Sequence, residues 1–241
     1  MSATRMAVDK REERIRAMFG EIAPRYDFLN HLLSLNVDHY WRWRTTRIVP
    51  PRPGAPILDL CTGTGDLALA YDKAAGGKAA IVGADFCRQM LERAEAKTRR
   101  RKADDRVRFL EADAQHLPFP NDHFQIVTVA FGLRNVTDTD KGIAEMVRVV
   151  EPGGKVAILE FSKPRIWPLS SLYGLYFRWI LPKVGRFFSG SRADAYDYLP
   201  QSVLEFPDGE ALAERLRRHG LNHVVWHPLT FGIATLYVGT K

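Results

Sequence analysis

Between Ile57 and Leu69 the chain reads ILDLCTGTGDLAL: an apolar run, two glycines one residue apart, then residues that suit a helix. Ile57, Leu58 and Leu60 supply a buried strand. Gly63 and Gly65 let the backbone approach a ligand that a Cβ would push away, and the first amides of a helix opening at Asp66, a good N-cap, point into the same space. A second apolar run, AAIVGAD, ends in Asp85, twenty residues after Gly65. An acid at that position holds the ribose hydroxyls of a nucleoside. A third run, RVRFLEAD, ends in Asp113, placed to accept a hydrogen bond from an adenine amino group. Strand, turn, helix and strand in this order predict a nucleoside site at one edge of an α/β sheet.

The flanking residues bear on which nucleoside is bound. Asp59, four residues before Gly63, would repel a pyrophosphate but helps hold the ammonium end of an amino-acid-bearing nucleoside. Ala68 stands where the dinucleotide fingerprint has its third glycine, a substitution that the fingerprint tolerates, so it does not discriminate. Three acids at three successive strand ends suit S-adenosylmethionine, whose formal charges are a sulfonium, an ammonium and one carboxylate.

Strands are expected near 56–60, 80–84, 106–111, 124–129 and 154–160, with helices between them at 66–75 and 88–102. The turn Glu151-Pro152-Gly153-Gly154 breaks the helix carrying Ile143, Met146 and Val147 before the fifth strand. A helix near 208–219 follows, then strands at 222–227 and 231–238 forming an antiparallel pair joined by Pro228–Gly232. This alternation predicts a doubly wound, mostly parallel α/β sheet. At 241 residues the chain suits a single domain. It has no uncharged apolar run of about 18 residues, and its start, MSATRMAVDKREERIRAMF, is charged throughout, so neither a spanning helix nor a secretory signal is expected and the location is cytoplasmic. Cys61 and Cys87 read as reduced thiols. Seven scattered histidines give no ligand pair, so no metal is expected. The run Arg99 to Lys102, followed by Asp104 and Asp105, is a solvated face or a contact to anionic lipid and not a nucleic-acid site.

From Lys163 to Arg192 the chain holds six basic residues, no acids and seven aromatics (Trp167, Tyr173, Tyr176, Phe177, Trp179, Phe187 and Phe188), against a net charge of +7 for the whole. Rings interleaved with cations suit an interfacial element that meets anionic lipid; a lid with ordinary aromatic packing fits the same residues, and both roles stay open.

Several longer strings resemble those of the quinone-biosynthesis C-methyltransferase family: IAPRYDFLNHLLSL at 22–35, Trp41-Arg42, DLCTGTGDLA at 59–68, LPFPNDHFQIVTVAFGLRNVTD at 117–138, EMVRVVEPGGKVAILEFSKP at 145–164 and YDYLPQSVLEFP at 196–207. FGLRNV followed by LEFSKP is the most specific part. Departures are Gln125, where the family usually has Asp, Asn36 for Gly, Ser191 for a Gly-Asp pair, and Tyr237 for a frequent His. The resemblance implies a class I, Rossmann-like methyltransferase with a seven-stranded sheet, an antiparallel last strand and an inserted lid. It implies one domain over 1–241: a helical substrate-side segment (1–50), a cofactor core (51–162), a lid or membrane-facing insertion (163–206), and a C-terminal helix with the last strands (207–241). S-adenosylmethionine is the implied cofactor, bound by Asp59, Gly63, Thr64, Gly65, Asp85, Asp113, Ala114 and Ala130. The implied reaction is C-methylation of a polyprenylated quinol, demethylmenaquinol or a polyprenyl-methoxybenzoquinol, at the cytoplasmic face of the membrane. A homodimer is admitted among the partners, with oligomeric state open.

Ring methylation needs a nucleophilic carbon, and loss of a phenolic proton provides one. With an unperturbed phenol pKa near 10, a nearby cation favours the quinolate by a few kcal/mol in a dry site. Arg134, in the loop after the fourth strand, is the candidate, stabilising the oxyanion or polarising a water and not acting as a free base. Asn135 holds a ring oxygen. Tyr26 and Asp27 close the site and accept a proton through water, or form a packing and capping pair. Two other classes stay open: a methyltransferase acting on a soluble acceptor, and a catalytically silent binding partner within a quinone-synthesis assembly.

Overall fold

The computed structural model describes residues 9–175 and 195–241. Seven strands form one sheet: β1 (Ile57–Leu60), β2 (Ile81–Asp85), β3 (Val107–Glu111), β4 (Phe124–Ala130), β5 (Val150–Phe161), β6 (Asn222–Leu229) and β7 (Ala234–Thr240), in the order β3-β2-β1-β4-β5-β7-β6. β1 to β5 run parallel, and β7 runs antiparallel to both β5 and β6. Strand order reverses between β1 and β4. That is the switch point, where the crevice beyond the carboxyl ends of the strands receives a ligand.

Strand alternation divides the core. Leu58, Leu60, Val127, Val129, Val156 and Ile158 face one side of the sheet, and Ile57, Ile126, Ala157 and Leu159 the other. Because both sides are covered, the central strands read as continuous apolar runs. The first side is packed by α6 (Thr139–Val149) through Ile143, Met146 and Val149, and by α9 (Glu210–Arg218) through Leu212, Ala213 and Leu216. The second is packed by α3 (Val37–Ile48) through Trp41 and by α4 (Asp66–Ala75) through Leu67, Ala68 and Tyr71. Helix α5 (Arg88–Arg100) lies on β3 and against α1 (Glu12–Ile22). Helix α2 (Tyr26–Leu33) follows α1 after a 3-10 turn, and α7 (Leu169–Leu175) and α8 (Ala195–Glu205) precede α9.

Several expectations change in detail. Asp66 does not cap α4. Gly65 takes the N-cap position at φ 80°, and Asp59, seven residues before the helix, accepts from the Ala68 amide at 3.1 Å in place of a local cap. Glu151–Gly154 does not separate α6 from the fifth strand. β5 starts at Val150, and its register against β4 jumps from Phe124↔Val150 to Ile126↔Lys155, so the glycines form an irregularity within the strand. The departures are accommodated. Buried Gln125 accepts from the Arg52 amide and donates to the carbonyls of Arg52 and Ala55. Asn36 stands at φ 62°, which asparagine tolerates. The Tyr237 hydroxyl accepts from the Gly209 amide at 2.6 Å. Ser191 lies outside the described residues, as do Tyr176, Phe177, Trp179, Lys183, Arg186, Phe187 and Phe188 of the aromatic and basic segment. Among the described residues no helix is long and apolar enough to cross a membrane.

Candidate active site

Beyond the carboxyl ends of β1, β2, β3 and β4 lies a cavity. Its wall takes Gly63 from the turn after β1, Asp85 and Phe86 from the end of β2, Asp113 and Ala114 from beyond β3, and Ala130, Phe131 and Asn135 from the end of β4 and its loop. The N-terminal segment supplies Glu12, Ile15, Phe19 and Tyr26. Most of the expected site residues therefore meet in one place, because chain order fixes which strand ends lie side by side.

Asp85 organises one end of the cavity. One carboxylate oxygen accepts from the Gly63 amide at 2.8 Å and the other from the Cys87 amide at 2.9 Å. Burial pushes its pKa up to about 6 against those hydrogen bonds. Asp113 differs. Its partial burial is outweighed by hydrogen bonds from Gln115 and His116, which hold its carboxyl below the usual range. Gly63 sits at φ 55°, and a Cβ there would meet only Tyr26 at 3.9 Å, so the space over the turn is left for a ligand. The Cys61 thiol, in the same wall, is pushed well up by burial and stays protonated.

Asp59, Thr64, Gly65, Asp27 and Arg134 are not in the wall. Asp59 is buried beneath the turn, accepting from Thr62 Oγ1 at 2.5 Å and from Ala68, and burial raises its pKa to about 7. Its second oxygen has no partner among the described residues. Gly65 is pressed against Phe109, whose Cζ lies 2.9 Å from where a Cβ would be. Thr64 donates to Asp27, and Lys97 joins both Asp27 and Asp66 at 2.6 Å. Arg42 extends the network from Asp66, at 3.1 Å, to Asp38. This ion network fastens α2, α3 and α5 to the glycine turn.

Arg134, one residue before Asn135, is buried. Its guanidinium donates to Glu160 at 2.9 Å and to the Phe131 carbonyl, and lies 5.3 Å from the Phe161 ring centroid. Its Nε–H has no acceptor among the described residues. Asn135 Oδ1 accepts from the Tyr198 hydroxyl at 3.1 Å, and burial raises that phenol to about 12, so it remains a donor. Burial likewise raises the Tyr26 phenol. Glu160 and Tyr198 were not singled out from the sequence, although each lies inside a family string, LEFSKP and YDYLPQSVLEFP. Nor was the meeting of His31, Asp38 and His39, whose donor atoms lie within 4.8 Å of one another. Asp38 already accepts from Ser34, His31 and Arg42, and the guanidinium opposes a cation at that carboxylate.

The family model for the ubiE/COQ5 methyltransferases matches residues 7–241. The chain belongs to this family. The methyltransferase is 47% identical over 227 residues to a demethylmenaquinone methyltransferase of Thermus thermophilus, covering 93% of its own length and 100% of the relative. It is 44% identical over 235 residues to a ubiquinone/menaquinone biosynthesis C-methyltransferase UbiE of a Geobacter species, covering 98% and 99%. A SAM-dependent methyltransferase from Aquifex aeolicus shares the fold, with a TM-score of 0.60 at 16% identity over 82% of this chain and 88% of that one. The methyltransferase uses S-adenosylmethionine. The cavity suits it: a turn whose glycine leaves its Cβ space open, acceptors at Asp85 and Asp113, and an apolar wall of Phe86, Met90 and Ala114.

Proposed function

We propose that the methyltransferase methylates a ring carbon of a polyprenylated quinol, with demethylmenaquinol as the acceptor and 2-polyprenyl-6-methoxy-1,4-benzoquinol as the alternative. The observation that carries this reading is the loop after β4, which puts Asn135 in the cavity wall and, one residue earlier, a buried cation, Arg134, paired with Glu160.

S-adenosylmethionine, when bound, supplies the electrophilic methyl group. Asp85 accepts from the ribose hydroxyls and Asp113 from the adenine amino group, while Ala114 and Ala130 keep the wall small and apolar. Asp59, Thr64 and Gly65 act by shaping the turn. On the acceptor side, Asn135, oriented by Tyr198, and the neutral phenol of Tyr26 hold the ring oxygens. Arg134, by its charge, favours the quinolate formed when the phenol, with an ordinary pKa near 10, gives its proton to solvent water, and the ring carbon's own proton leaves to water once the methyl group has bonded there. Glu160 fixes the guanidinium plane. Asp27, tied to Lys97 and Thr64, holds Tyr26 and its helix in place.

A polyprenylated acceptor resides in the bilayer, so the enzyme works peripherally at the cytoplasmic face of the membrane. Exposed Ile166 and Trp167, at the start of the aromatic and basic segment, support this.

Labelled methyl transfer to demethylmenaquinol and, in parallel, to the methoxybenzoquinol tests the proposal, with faster turnover expected on the naphthoquinol. In the same assay Arg134→Lys keeps a charge opposite Glu160 but loses the planar fork, and turnover falls at least about tenfold with cofactor affinity unchanged. Arg134→Ala is less informative because it leaves Glu160 buried and unpaired, a loss of about 3–5 kcal/mol in stability. A folded, cofactor-binding enzyme that methylates neither quinol would overturn the reading.

A further inference from the structure

We propose that the outer face of α3, together with the Thr230–Gly232 turn beside it, is the surface by which this enzyme docks on an anionic lipid bilayer. The inference rests on the reading of the acceptor as a membrane-borne quinol.

Helix α3 has two unlike faces. Trp41, Arg42 and Thr45 are buried, whereas Tyr40 is 45% exposed and Trp43 52%, their ring centroids 6.0 Å apart. Leu35, in the turn leading into the helix, is 82% exposed. The Arg44 guanidinium lies 6.0 Å from the Trp43 ring centroid, and Arg47, one turn beyond Trp43, is exposed. Between Phe28 and Ile48 the single acid is Asp38, which is buried and engaged by Arg42, His31 and Ser34. The outward face therefore carries aromatic rings, exposed Arg47 and half-buried Arg44, with no acid of this segment among them. Such a surface puts rings at headgroup level and cations against lipid phosphate.

The patch continues onto neighbouring elements. Trp41 Nε1 donates to Thr230 Oγ1 at 2.8 Å, which fixes the turn against α3. The next residue, Phe231, is 71% exposed and sits at φ 58°, a left-handed conformation that strains an aromatic residue. Gly232 accepts from Ser162 at 2.7 Å, so the chain leading to exposed Ile166 and Trp167 leaves the sheet beside this turn. Six of the eleven large apolar residues exposed among the described residues lie on these three adjoining pieces.

The position also suits the chemistry. Trp41 packs on Phe131, with centroids 5.6 Å apart, and Phe131 lines the cavity. The buried side of the same helix, through Trp41, thus backs the cavity wall. A second copy of the chain fits less well, because a twofold contact would set Arg44 and Arg47 against their own copies.

Flotation of the full-length enzyme with phosphatidylcholine vesicles, with and without phosphatidylglycerol, tests the proposal. The wild type is expected to bind the anionic vesicles more tightly, and raising the salt to about 0.5 M weakens that preference. Arg44→Gln with Arg47→Gln should reduce partition onto anionic vesicles about 30-fold and leave partition onto neutral ones unchanged. The triple variant Tyr40→Ser, Trp43→Ser, Phe231→Ser should reduce both. Thermal melts and cofactor affinity establish that the variants are folded. Wild type that does not float, or a folded triple variant that floats as well as wild type, overturns the docking face. So does a change from dimer to monomer in the triple variant, by light scattering, without any vesicle binding. Turnover on a short-tailed soluble quinol separates the two readings: if that activity is absent while flotation behaves as described, the acceptor assignment fails and the docking face stands.

Discussion

Asp85 is hydrogen-bonded at both oxygens by backbone amides, yet burial still lifts its pKa to about 6. In the proposed role the carboxylate is the form that accepts the ribose hydroxyls, so affinity for S-adenosylmethionine is expected to be highest above pH 6. It should weaken as the pH falls through that value, approaching tenfold per unit. The stability arm has the opposite sense. A carboxyl raised above its unfolded value of 3.8 contributes stability that is fully present below that value and is lost as the pH rises through about 6. Calorimetric titration between about pH 5 and 7 checks the first expectation, with Asp85→Asn weaker by about 2 kcal/mol and flat with pH. A wild-type affinity that does not move across that range would remove Asp85 as a ribose acceptor. At this scale, residues whose place is set by a strand end were legible: Asp85, Asp113 and Gly63 were all expected at one edge and they share a wall. Glu160 and Tyr198 were not, because the Arg134–Glu160 and Tyr198–Asn135 contacts join residues 26 and 63 positions apart, and no local pattern encodes such pairs.

The glycine turn is the element on which the proposed cofactor site depends, and its two glycines sit in different surroundings. At Gly65 a side chain would combine φ 80° with a 2.9 Å approach to Phe109. At Gly63 it would face open space apart from Tyr26, so the backbone conformation is its main penalty. Gly65→Ala should therefore lower unfolding stability by at least about 2 kcal/mol, from left-handed strain plus overpacking. Gly63→Ala should lower it by about 1 kcal/mol but should weaken cofactor binding more than tenfold by filling the cradle. Chemical denaturation paired with calorimetry separates the two, and equal stability losses would contradict the packing seen at Phe109. The apolar runs located this element well: β1 and α4 fall where strand and helix were expected. The cap did not follow local rules, since Asp59 reaches Ala68 from nine residues upstream and only the folded turn brings them together. The breaker before β5 misled for a related reason: pairing with β4 carries the strand through residues that favour a turn in isolation.

Across the whole molecule, alternating strands and helices made the parallel sheet legible, because crossover connections leave few ways to order the strands. Chain order alone does not reveal that α1 and α2 fold back over the carboxyl edge and complete the cavity; the family resemblance is what put residues 1–50 on the substrate side, and Tyr26 of that segment lines the wall. The apolar residues of these two helices, Ile15, Met18, Ile22 and Leu29, form a small cluster with Tyr198, separate from the two large cores on the sheet. The Asp27–Lys97–Asp66 network then pins α2 to the glycine turn. A segment held by so small a core opens at lower free energy than the sheet does. Opening it also removes Ile15, Phe19 and Tyr26 from the wall, so the cofactor must oppose that opening. At a hundredfold excess over its dissociation constant, S-adenosylmethionine stabilises the closed form by about 2.7 kcal/mol. Amide exchange within 12–33 should accordingly slow by about a hundredfold. Fraying of β6, which among the described residues pairs only with β7 at the sheet's edge, leaves the site intact, so its amides should exchange at an unchanged rate. Exchange followed by mass spectrometry reads both regions in one experiment. If saturating cofactor left 12–33 exchanging as in the free protein, the N-terminal helices would have no part in enclosing it.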